Sequence, residues 1–512
     1  MKRVLLYMFL IFVGLTTFSC HKKSNEPTII ISINASDNKQ VIENFGASDC
    51  WTIQNVGLWN DTLRNYASKV LFSKDFDSNG NPVGIGLSLW RFNIGAGSAS
   101  QGVESNIPDK YRRVECFLDE NGKYDFNKQA GQVWFLGKAK EYGVNQFVAF
   151  VNSPPVFMTK NQRANCSVKN ESNLDETKYP AFADFMTEVI LGLQNKAGIK
   201  FDFISPVVEP QWVWMGGQEG MHLDNNSFAQ IVRNLDKSIL SKFLQTKILI
   251  PEAGSFDYLY NNKQSGCGHQ IDEFWGKGVN FVGDLPSVAP VVTAHGYFMN
   301  WPLKLMLNKR DSVNSHLQKY PKLRFWQTEY CIMGGNEGIA TVPRDTTINL
   351  GLYVARLMHL DIVKGNVAAW HWWLAVSTYN YNDGLLVADD AKKTIKDTKL
   401  TWAFGNFSRF VRPGAIRLEA TLSNNPTIIT QTESLMVSSY KHINDKKMTI
   451  VAINMSKKEI PLKFKIDGVK ISKFDAYETS GAKNLEKTET ISSDDEYIIP
   501  PKSITTFYGD IE

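Results

Sequence analysis

The stretch FISPVVEPQW (203–212) and its counterpart RFWQTEYC (324–331) each combine a short apolar run with a glutamate near its end. Both runs are apolar at consecutive positions, which is typical of strands buried on both faces of a parallel sheet. A strand that finishes on a carboxylate and continues into a loop is how a (β/α)8 barrel presents acid side chains at its C-terminal face. Glu209 and Glu329 therefore predict such a barrel, with two carboxylates at one end.

Six further short, strand-like apolar runs occur along the chain, with amphipathic stretches such as 179–196 and 226–243 between them. Eight strands that alternate with helices predict an α/β fold, a (β/α)8 TIM barrel. In this count Glu209 closes strand four and Glu329 closes strand seven. The six further runs are FGASDCW (45–51), LSLWRFNIG (87–95), QFVAFVNS (146–153), KILIPEAG (247–254), VVTAHGYF (291–298) and AAWHWWL (368–374).

The sequence pattern changes after Trp402, where short runs of alternating apolar and polar residues, separated by polar turns, replace helical periodicity. This pattern predicts an all-β antiparallel sandwich as a side domain. The early run TIIISINAS (28–36) belongs to no βα unit, so we expect it to join this sandwich and bring both chain ends together. The predicted divisions are a signal peptide (1–19), a tether (20–27), strands that join the sandwich (28–42), the catalytic barrel (43–404) and the sandwich (405–512).

The N-terminus carries the features of an export signal. Lys2 and Arg3 precede an apolar stretch, residues 4–18, that is too short to cross a membrane, and Ser19-Cys20 follows it. Cys20 at this place predicts a lipoprotein signal, an acylated cysteine and a cell-envelope location, either periplasmic or associated with the outer membrane. The usual Leu three positions upstream is missing, which leaves an ordinary cleaved signal and a secreted protein as the alternative.

Composition excludes several other classes of protein. A net charge of +4 on 512 residues is weak, so we expect no nucleic-acid partner, and we expect membrane contact only through a lipid at Cys20. The other five cysteines are scattered and odd in number, which favours free thiols over a disulfide framework. The chain lacks CxxC and HExxH spacings, so the sequence predicts neither a metal nor another cofactor.

Two carboxylates on different barrel strands are the minimum set for hydrolysis of a glycosidic bond. Each lies among aromatic residues, Trp212 near Glu209 and Trp326 near Glu329, and flat apolar rings stack well on sugars. The alternative is that these rings pack in the barrel core. Other strand ends add candidate substrate-binding residues, and an arginine inside a strand should bond a carboxylate. The candidates are Asp49, Trp51, Arg91, Asn152, Trp212, His295, Tyr297, Trp370 and Trp372.

Eight segments, taken in order, carry a resemblance to glycoside hydrolase family 30 and, within it, to the endo-β-1,6-galactanase-like members. The resemblance implies a clan A retaining glycosidase that acts on a polysaccharide or oligosaccharide, with Glu209 as general acid/base and Glu329 as nucleophile. The segments are ENFGASDCW (43–51), LWRFNIGAGS (89–98), FVNSPPVFMT (150–159), ISPVVEPQWVW with QEG (204–214, 218–220), TAHGYF (293–298), FWQTEYCIMGG (325–335), HWWLAV (371–376) and GNFSRFVRPGAIRL (405–418).

One position departs from the family pattern. The family reads Asn-Glu-Pro at strand four, whereas this chain reads Val208-Glu209-Pro210. In the resemblance that Asn bonds the sugar 2-hydroxyl, and Val cannot, unless Asn152 or Gln211 fills the role. Two alternatives therefore stay open: a family 30 hydrolase of another β-glycan (xylan, β-1,6-glucan or a glucosylceramide-type substrate), and a catalytically weak carbohydrate-binding lipoprotein.

Overall fold

The computed structural model of the protein describes residues 26–334 and 337–512. The predicted signal peptide, the acylated Cys20 and most of the predicted tether lie outside the described residues. Among the helices of the described part, none is both long and apolar enough to cross a membrane.

The strand β1 (Ile29–Ile42) belongs to the side domain, and the next eight strands close a parallel barrel. The last barrel strand, β9, pairs with both β2 and β8, which completes the circle. The predicted (β/α)8 fold is therefore confirmed. The barrel strands are β2 (Asn44–Ser48), β3 (Leu89–Ile94), β4 (Gln146–Val151), β5 (Phe203–Ser205), β6 (Lys247–Ala253), β7 (Val288–His295), β8 (Arg324–Glu329) and β9 (Val367–Ser377).

Helices surround the barrel, and apolar side chains such as Leu89, Leu249 and Trp326 fill its interior. Two short strands, β10 (Gly384–Asp389) and β11 (Thr394–Lys396), extend the sheet beside β9. The helices are α1 (Ile53–Val56), α2 (Asp61–Phe72), α3 (Ser98–Gln101), α4 (Ala130–Glu141), α5 (Tyr179–Ala197), α6 (Asn225–Ser241), α7 (Asp257–Tyr260), α8 (Gln270–Trp275), α9 (Leu303–Leu317), α10 (Ile348–Val363), α11 (Lys399–Ser408) and α12 (Ile428–Glu433).

Strand four is shorter than the sequence predicts. It ends at Ser205, because the next residue is Pro206, which has no N–H to donate to the sheet. Glu209 therefore lies in the loop beyond the strand and not at its last residue. Glu329, in contrast, is the last residue of β8.

The side domain is a β-sheet folded over on itself. Phe464 of one half packs on Phe507 of the other at 4.9 Å, although their strands are far apart in the sheet, so the two halves face each other as a sandwich. Among the described strands of this sheet, β1 and β15 pair in parallel and the other neighbours are antiparallel. The strands after β11 are β12 (Ala415–Leu422), β13 (Leu435–His442), β14 (Lys447–Asn454), β15 (Ile460–Asp467), β16 (Lys473–Thr479), β17 (Asn484–Ser492), β18 (Tyr497–Ile499) and β19 (Ser503–Asp510).

Candidate active site

Glu329 projects into the top of the barrel, where it is only 5% exposed. Its carboxylate accepts a hydrogen bond from Arg91 Nη1 at 3.2 Å and another from the Tyr297 hydroxyl at 2.9 Å. Arg91 lies on β3, and the sequence-based expectation that it bonds a carboxylate is met here. Bonds from a guanidinium and from a hydroxyl favour the ionised form of the carboxylate that accepts them.

Glu209 is held at the rim of the barrel by backbone hydrogen bonds on both sides. The N–H of Val208 donates to the carbonyl of Val151 at 3.1 Å, and the N–H of Glu209 donates to the carbonyl of Glu252 at 2.9 Å. These bonds attach the loop after β5 to both neighbouring strands, β4 and β6. The carboxylate of Glu209 is 7% exposed and therefore reaches the surface of the cleft.

His295, the last residue of β7, lies between three carboxylates. Its Nδ1 is 2.8 Å from Glu209 Oε1 and 3.5 Å from Glu329 Oε1, and its Nε2 is 3.2 Å from Glu252 Oε2. Burial disfavours the imidazolium, but the charges of Glu329 and Glu209 outweigh it and raise the pKa of His295 to about 10. The ring is therefore a cation at neutral pH.

Glu252 is a member of this cluster that the sequence analysis missed. It lies at an irregularity in the pairing of β6 with β7 and has a left-handed backbone (φ +54°), and such irregularities redirect side chains. Its Oε2 accepts from Arg91 Nη2 at 3.1 Å. Burial would raise the pKa of Glu252, but Arg91 and His295 outweigh burial and lower it to about 2. The sequence did contain a signal for Glu252, because this glutamate also lies near the end of an apolar run, KILIPEAG (247–254).

The spacing of Glu209 and Glu329 fits one type of glycosidic chemistry. One oxygen of each carboxylate lies within 4.8 Å of the other. Retaining glycosidases have carboxyl groups about 5–5.5 Å apart, whereas inverting enzymes need roughly 6.5–9.5 Å to admit a water molecule. The arrangement can therefore support a direct attack by one carboxylate and proton donation by the other.

The charges around Glu329 act on its pKa in opposite directions. Arg91 and His295 carry two positive charges, and Glu209, Glu252 and Glu329 carry three negative charges when all are ionised. Burial raises the pKa of Glu329, His295 and Arg91 lower it, and Glu209 raises it again. Burial and the charge of Glu209 therefore oppose ionisation of Glu329, whereas His295 and Arg91 favour it.

Glu209, His295 and Glu329 also bring together the kinds of atoms that bind metals. However, both ring nitrogens of His295 lie within hydrogen-bond distance of carboxylate oxygens, Nδ1 at 2.8 Å from Glu209 and Nε2 at 3.2 Å from Glu252. The two nitrogens face carboxylate oxygens as hydrogen-bond donors. We therefore assign this cluster to proton chemistry.

Strained backbone occurs at this end of the barrel. Trp51, Glu209, Trp214, Glu252 and Phe298 all have φ between +46° and +62°, a region that side-chain-bearing residues seldom occupy. All five lie at or beyond the C-terminal ends of barrel strands. Such strain persists when the surrounding structure holds it, and it occurs frequently at functional sites.

Comparisons with known proteins agree with this geometry. The model of O-glycosyl hydrolase family 30 matches residues 28–387, which span the whole barrel up to β10. The chain belongs to this family. It is thus a glycoside hydrolase of the clan whose members retain anomeric configuration, and it acts on β-glycans.

Three relatives show the range of similarity to this family 30 enzyme. An endo-β-1,6-galactanase of Hypocrea rufa is 23% identical over 402 residues, 75% of each chain. A glucuronoxylanase of Bacillus subtilis is 29% identical over 493 residues, which cover 93% of this chain and 90% of the relative. The crystal structure of a conserved exported protein from Bacteroides fragilis superposes with a TM-score of 0.88 at 33% identity, covering 94% of this chain and all of that one.

The other predicted binding residues surround the cluster at different depths. Asp49 is fully buried beside Arg91, where it accepts from the N–H of Asn93, and burial raises its pKa to about 8. Trp51 and Asn152 follow β2 and β4 and are almost buried. Trp212 follows Glu209 closely and is half-buried, with its ring edge-on to Tyr258 and Phe298. Asp49 therefore lies behind the site, and the others lie at its wall.

The structure does not bring Trp370 and Trp372 to the site. Trp370 is 1% exposed and donates to Asp361 of α10, and its ring stacks on that of Trp372 in the layer between barrel and helices. Side chains alternate in direction along β9, so the side chains of the neighbouring residues point into the barrel instead. The ring of Trp373 lies 5.3 Å from that of Trp51, at the barrel mouth. The sequence HWW does not reveal which face of the strand is the inner one.

Val208, which replaces the family Asn, is buried at 4% exposure next to Glu209. Two amide side chains could substitute for the Asn, and that of Gln211 is fully buried. It lies so close to Gly254 that a Cβ added to this glycine would be 2.4 Å from Gln211 Nε2. Gln211 therefore lies behind the cleft wall. Asn152 is 7% exposed, so it is the amide within reach of a sugar.

Replacement of Val208 by Asn tests what the departure does. If Val208 selects a feature of the native glycan, Val208→Asn should lower kcat/KM on that glycan by roughly 10- to 100-fold, because a buried amide would lack a partner. Steady-state rates on a panel of β-glycans measure the effect, with Val207→Ala as a neighbouring control. A rise in kcat/KM on every glycan would instead show that Val208 only removes the contact that the Asn of the family makes with the sugar.

Proposed function

We propose that this family 30 enzyme cleaves β-1,6-linked galactan-type chains from within, with Glu329 as nucleophile and Glu209 as general acid/base. The observation that carries the proposal is the short separation of the two carboxylates, whose oxygens lie within 4.8 Å of each other on either side of His295. Glu329 attacks the anomeric carbon while Glu209 gives its proton to the departing glycosidic oxygen. The products of this step are a glycosyl ester on Glu329 and a free sugar end.

The second step reverses the proton transfer. Glu209, now a carboxylate, removes a proton from water, and the resulting hydroxide attacks the anomeric carbon and releases Glu329. Esterification of Glu329 removes one negative charge from the cluster between the two steps. His295, a cation bonded to Glu209, remains in place during both steps and offsets the carboxylate charge.

Aromatic side chains on both sides of the pair support cleavage within a chain. Next to Glu209, Trp212 and Phe298 meet at 6.2 Å, and Trp301 is 48% exposed on the loop after β7. On the opposite side, Trp51 and Trp373 line the barrel mouth. An enzyme that binds sugars on both sides of the cleaved bond acts on the interior of a chain.

The galactan preference is supported by the resemblance in the sequence and by the Hypocrea rufa relative. The experiment is an assay of a glycan panel, with β-1,6-galactan, glucuronoxylan and β-1,6-glucan, followed by mass analysis of the products. We expect a ladder of β-1,6-galacto-oligosaccharides of several lengths. Release of single sugars only, or degradation of another glycan in the panel alone, would contradict the proposal.

A weak binder is the second candidate, and Val208 is the observation that favours it. In that case the wild type binds the panel glycans without releasing reducing sugar. Both Glu209 and Glu329 are present in the geometry of a retaining enzyme, which a binding protein does not need. We therefore place the hydrolase first.

We also propose that the protein is exported and anchored through an acyl group on Cys20. The basic and apolar N-terminus supports export, as does the similarity to an exported protein of Bacteroides fragilis. Fractionation of cells that express Cys20→Ala tests the anchor. If the anchor is an acyl group on Cys20, the variant should be lost from the membrane fraction. An unchanged distribution would reject it.

Glu252 should control the pH dependence of the reaction. Glu252→Gln removes a negative charge from His295, so the pKa of His295 should fall from about 10 and its imidazolium should lose its proton at lower pH. We expect the alkaline limb of the pH profile of kcat/KM to move to lower pH. We also expect kcat/KM at neutral pH to drop about tenfold or more, because two charge-assisted bonds are weakened.

The control for this variant is Glu43→Gln. Glu43 also pairs with an arginine between barrel strands, Arg324, but at the opposite end of the barrel. Its pH profile should match that of the wild type. An alkaline limb that stays in place in Glu252→Gln would show that His295 does not set it.

A further inference from the structure

A pocket of about 630 Å³ opens on the catalytic face, beside the barrel mouth. It is formed by the loop after β3, the loops after β8 and β9, and the ends of β10 and β11. This volume is in the range of small-molecule sites. Its lining includes Asp109, Tyr111, Arg344, Tyr379, Asp389 and Asp390.

Ring contacts connect this pocket to the catalytic centre. Tyr379 lines the pocket on one side and meets Trp51 edge-on at 5.9 Å on the other. Trp51 contacts Trp373 at 5.3 Å, and Trp373 contacts Phe150 at 6.5 Å. The guanidinium of Arg91, which bonds Glu329, lies over the ring of Phe150 at 4.5 Å. A continuous series of ring contacts thus leads from the pocket to the residues that hold Glu329.

The two tyrosines of the pocket are fixed by hydrogen bonds. The hydroxyl of Tyr379 donates to Asp109 Oδ2 at 2.7 Å, and that of Tyr111 donates to Asp390 Oδ2 at 2.5 Å. Arg112 braces the wall, because its guanidinium lies 4.2 Å from the ring centre of Trp51 and 5.5 Å from that of Tyr379. Rigid rings with bound hydroxyls are preorganised for a ligand, which reduces the entropy lost on binding.

The position of the pocket in the barrel determines which part of a glycan it faces. Glu209, which must lie next to the departing oxygen, follows β5, whereas most of the pocket is formed by residues that follow β9, including β10 and β11. Strand β9 lies directly across the closed barrel from β5. The pocket therefore faces the part of the glycan that becomes attached to Glu329, the glycone side, and not the leaving group.

The charges of the lining favour an uncharged sugar. Three carboxylates and three cationic side chains line the pocket, so neither sign is in excess. Aromatic rings stack on the apolar faces of sugars, and fixed carboxylates accept hydrogen bonds from hydroxyl groups. Their combination fits a neutral hexose.

We propose that this pocket is a distal glycone subsite for a neutral β-glycan, with Tyr379 as the residue that binds the sugar and thereby selects for longer chains. The inference rests on the proposed function and adds to it a residue that determines chain-length specificity. Arg112 and Asp109 act as positioning residues, since they hold the ring and the hydroxyl of Tyr379.

The test compares long and short substrates. The probes are β-1,6-galacto-oligosaccharides of two to six units and an aryl β-galactoside, which has one sugar on the glycone side. Tyr379→Ala should lower kcat/KM on the five- and six-unit chains at least tenfold more than on the aryl glycoside. Tyr379→Phe keeps the ring and loses the hydrogen bond to Asp109. Its loss of kcat/KM should therefore be smaller, and it should also be greater on the long chains than on the aryl glycoside.

Tyr320→Ala is the matched control. Tyr320 is also half-buried and donates its hydroxyl to an aspartate, Asp272 at 2.9 Å, but it precedes β8 at the opposite end of the barrel. Its rates should fall equally, or not at all, on long and short substrates. Thermal unfolding of each variant separates a folding defect from a binding defect, and Tyr379→Phe supplies the test if Tyr379→Ala is unstable.

Equal losses on long and short substrates in the Tyr379 variants, or no loss on the long chains, would overturn the subsite. Failure of the proposed function looks different, because the wild type itself would then leave the galacto-oligosaccharides intact. In that case calorimetric binding of the glycans that the wild type does degrade, or of the whole panel if it degrades none, is measured with Tyr379→Ala. An affinity for long chains equal to that of the wild type rejects the subsite.

Discussion

Glu329→Ala is expected to reduce turnover of every glycoside by at least about 10⁴-fold, because Glu329 is the proposed nucleophile that forms the glycosyl ester. The loss should be the same for natural glycans and for aryl glycosides with good leaving groups, since both need the nucleophile. Steady-state rates on both kinds of substrate measure it. Added azide, a small anion that fits the vacated space, should restore cleavage of the aryl glycoside and give a product of inverted configuration.

Glu329→Gln provides the companion variant, because it keeps the shape of the side chain and removes its charge. It should be nearly as inactive as Glu329→Ala and should retain the wild-type fold, as measured by circular dichroism. Substantial activity of either variant on aryl glycosides would show that another group attacks the anomeric carbon.

Glu209→Ala should have an effect that depends on the leaving group. On natural glycans the loss should be roughly 10²- to 10⁴-fold, the usual contribution of a general acid. On an aryl glycoside whose leaving group departs without a proton, the first step should proceed, and the ester on Glu329 should accumulate as a burst of released phenol. The burst is measured in a stopped-flow experiment, and intact-protein mass spectrometry detects the trapped sugar.

The contrast between substrates is the decisive feature of this prediction. Glu219→Gln serves as a control, because this buried carboxylate accepts from Ser98 and holds the loops after β3 and β5 together, outside the Glu209–Glu329 pair. Its loss of rate should not depend on the leaving group. Equal losses on both substrates for Glu209→Ala would overturn its role as acid and base.

The sequence predicts the barrel well because each strand carries its own local signal. Eight short runs rich in apolar residues, several of them apolar at consecutive positions, mark the barrel strands, and the structure has a strand in each of these runs. Strand ends are predicted less well. Apolar character continues past Pro206 through Val208, so the pattern extends strand four, whereas the missing N–H of proline ends the sheet at Ser205.

The site is harder to predict, because burial and direction depend on neighbouring strands. Glu209, His295, Tyr297 and Glu329 meet because strand ends of a barrel converge, which the order of the runs already implies. Glu252 reaches them through an irregularity in β6 that leaves no mark in the sequence pattern. In a run as aromatic as HWW, periodicity does not distinguish the inward ring of Trp373 from the outward ring of Trp372.

The position of β1 has a consequence for how the polypeptide is made. Ile30 at the start of the domain donates its N–H to Ser423, 393 positions further along the chain, and β1 also pairs with the still later strand β15. During synthesis β1 must therefore wait, unpaired, until nearly the whole protein has emerged. Contacts so distant in sequence form slowly, and strand edges exposed in the meantime invite aggregation. We expect the sandwich to assemble last and its completion to limit the yield of folded enzyme.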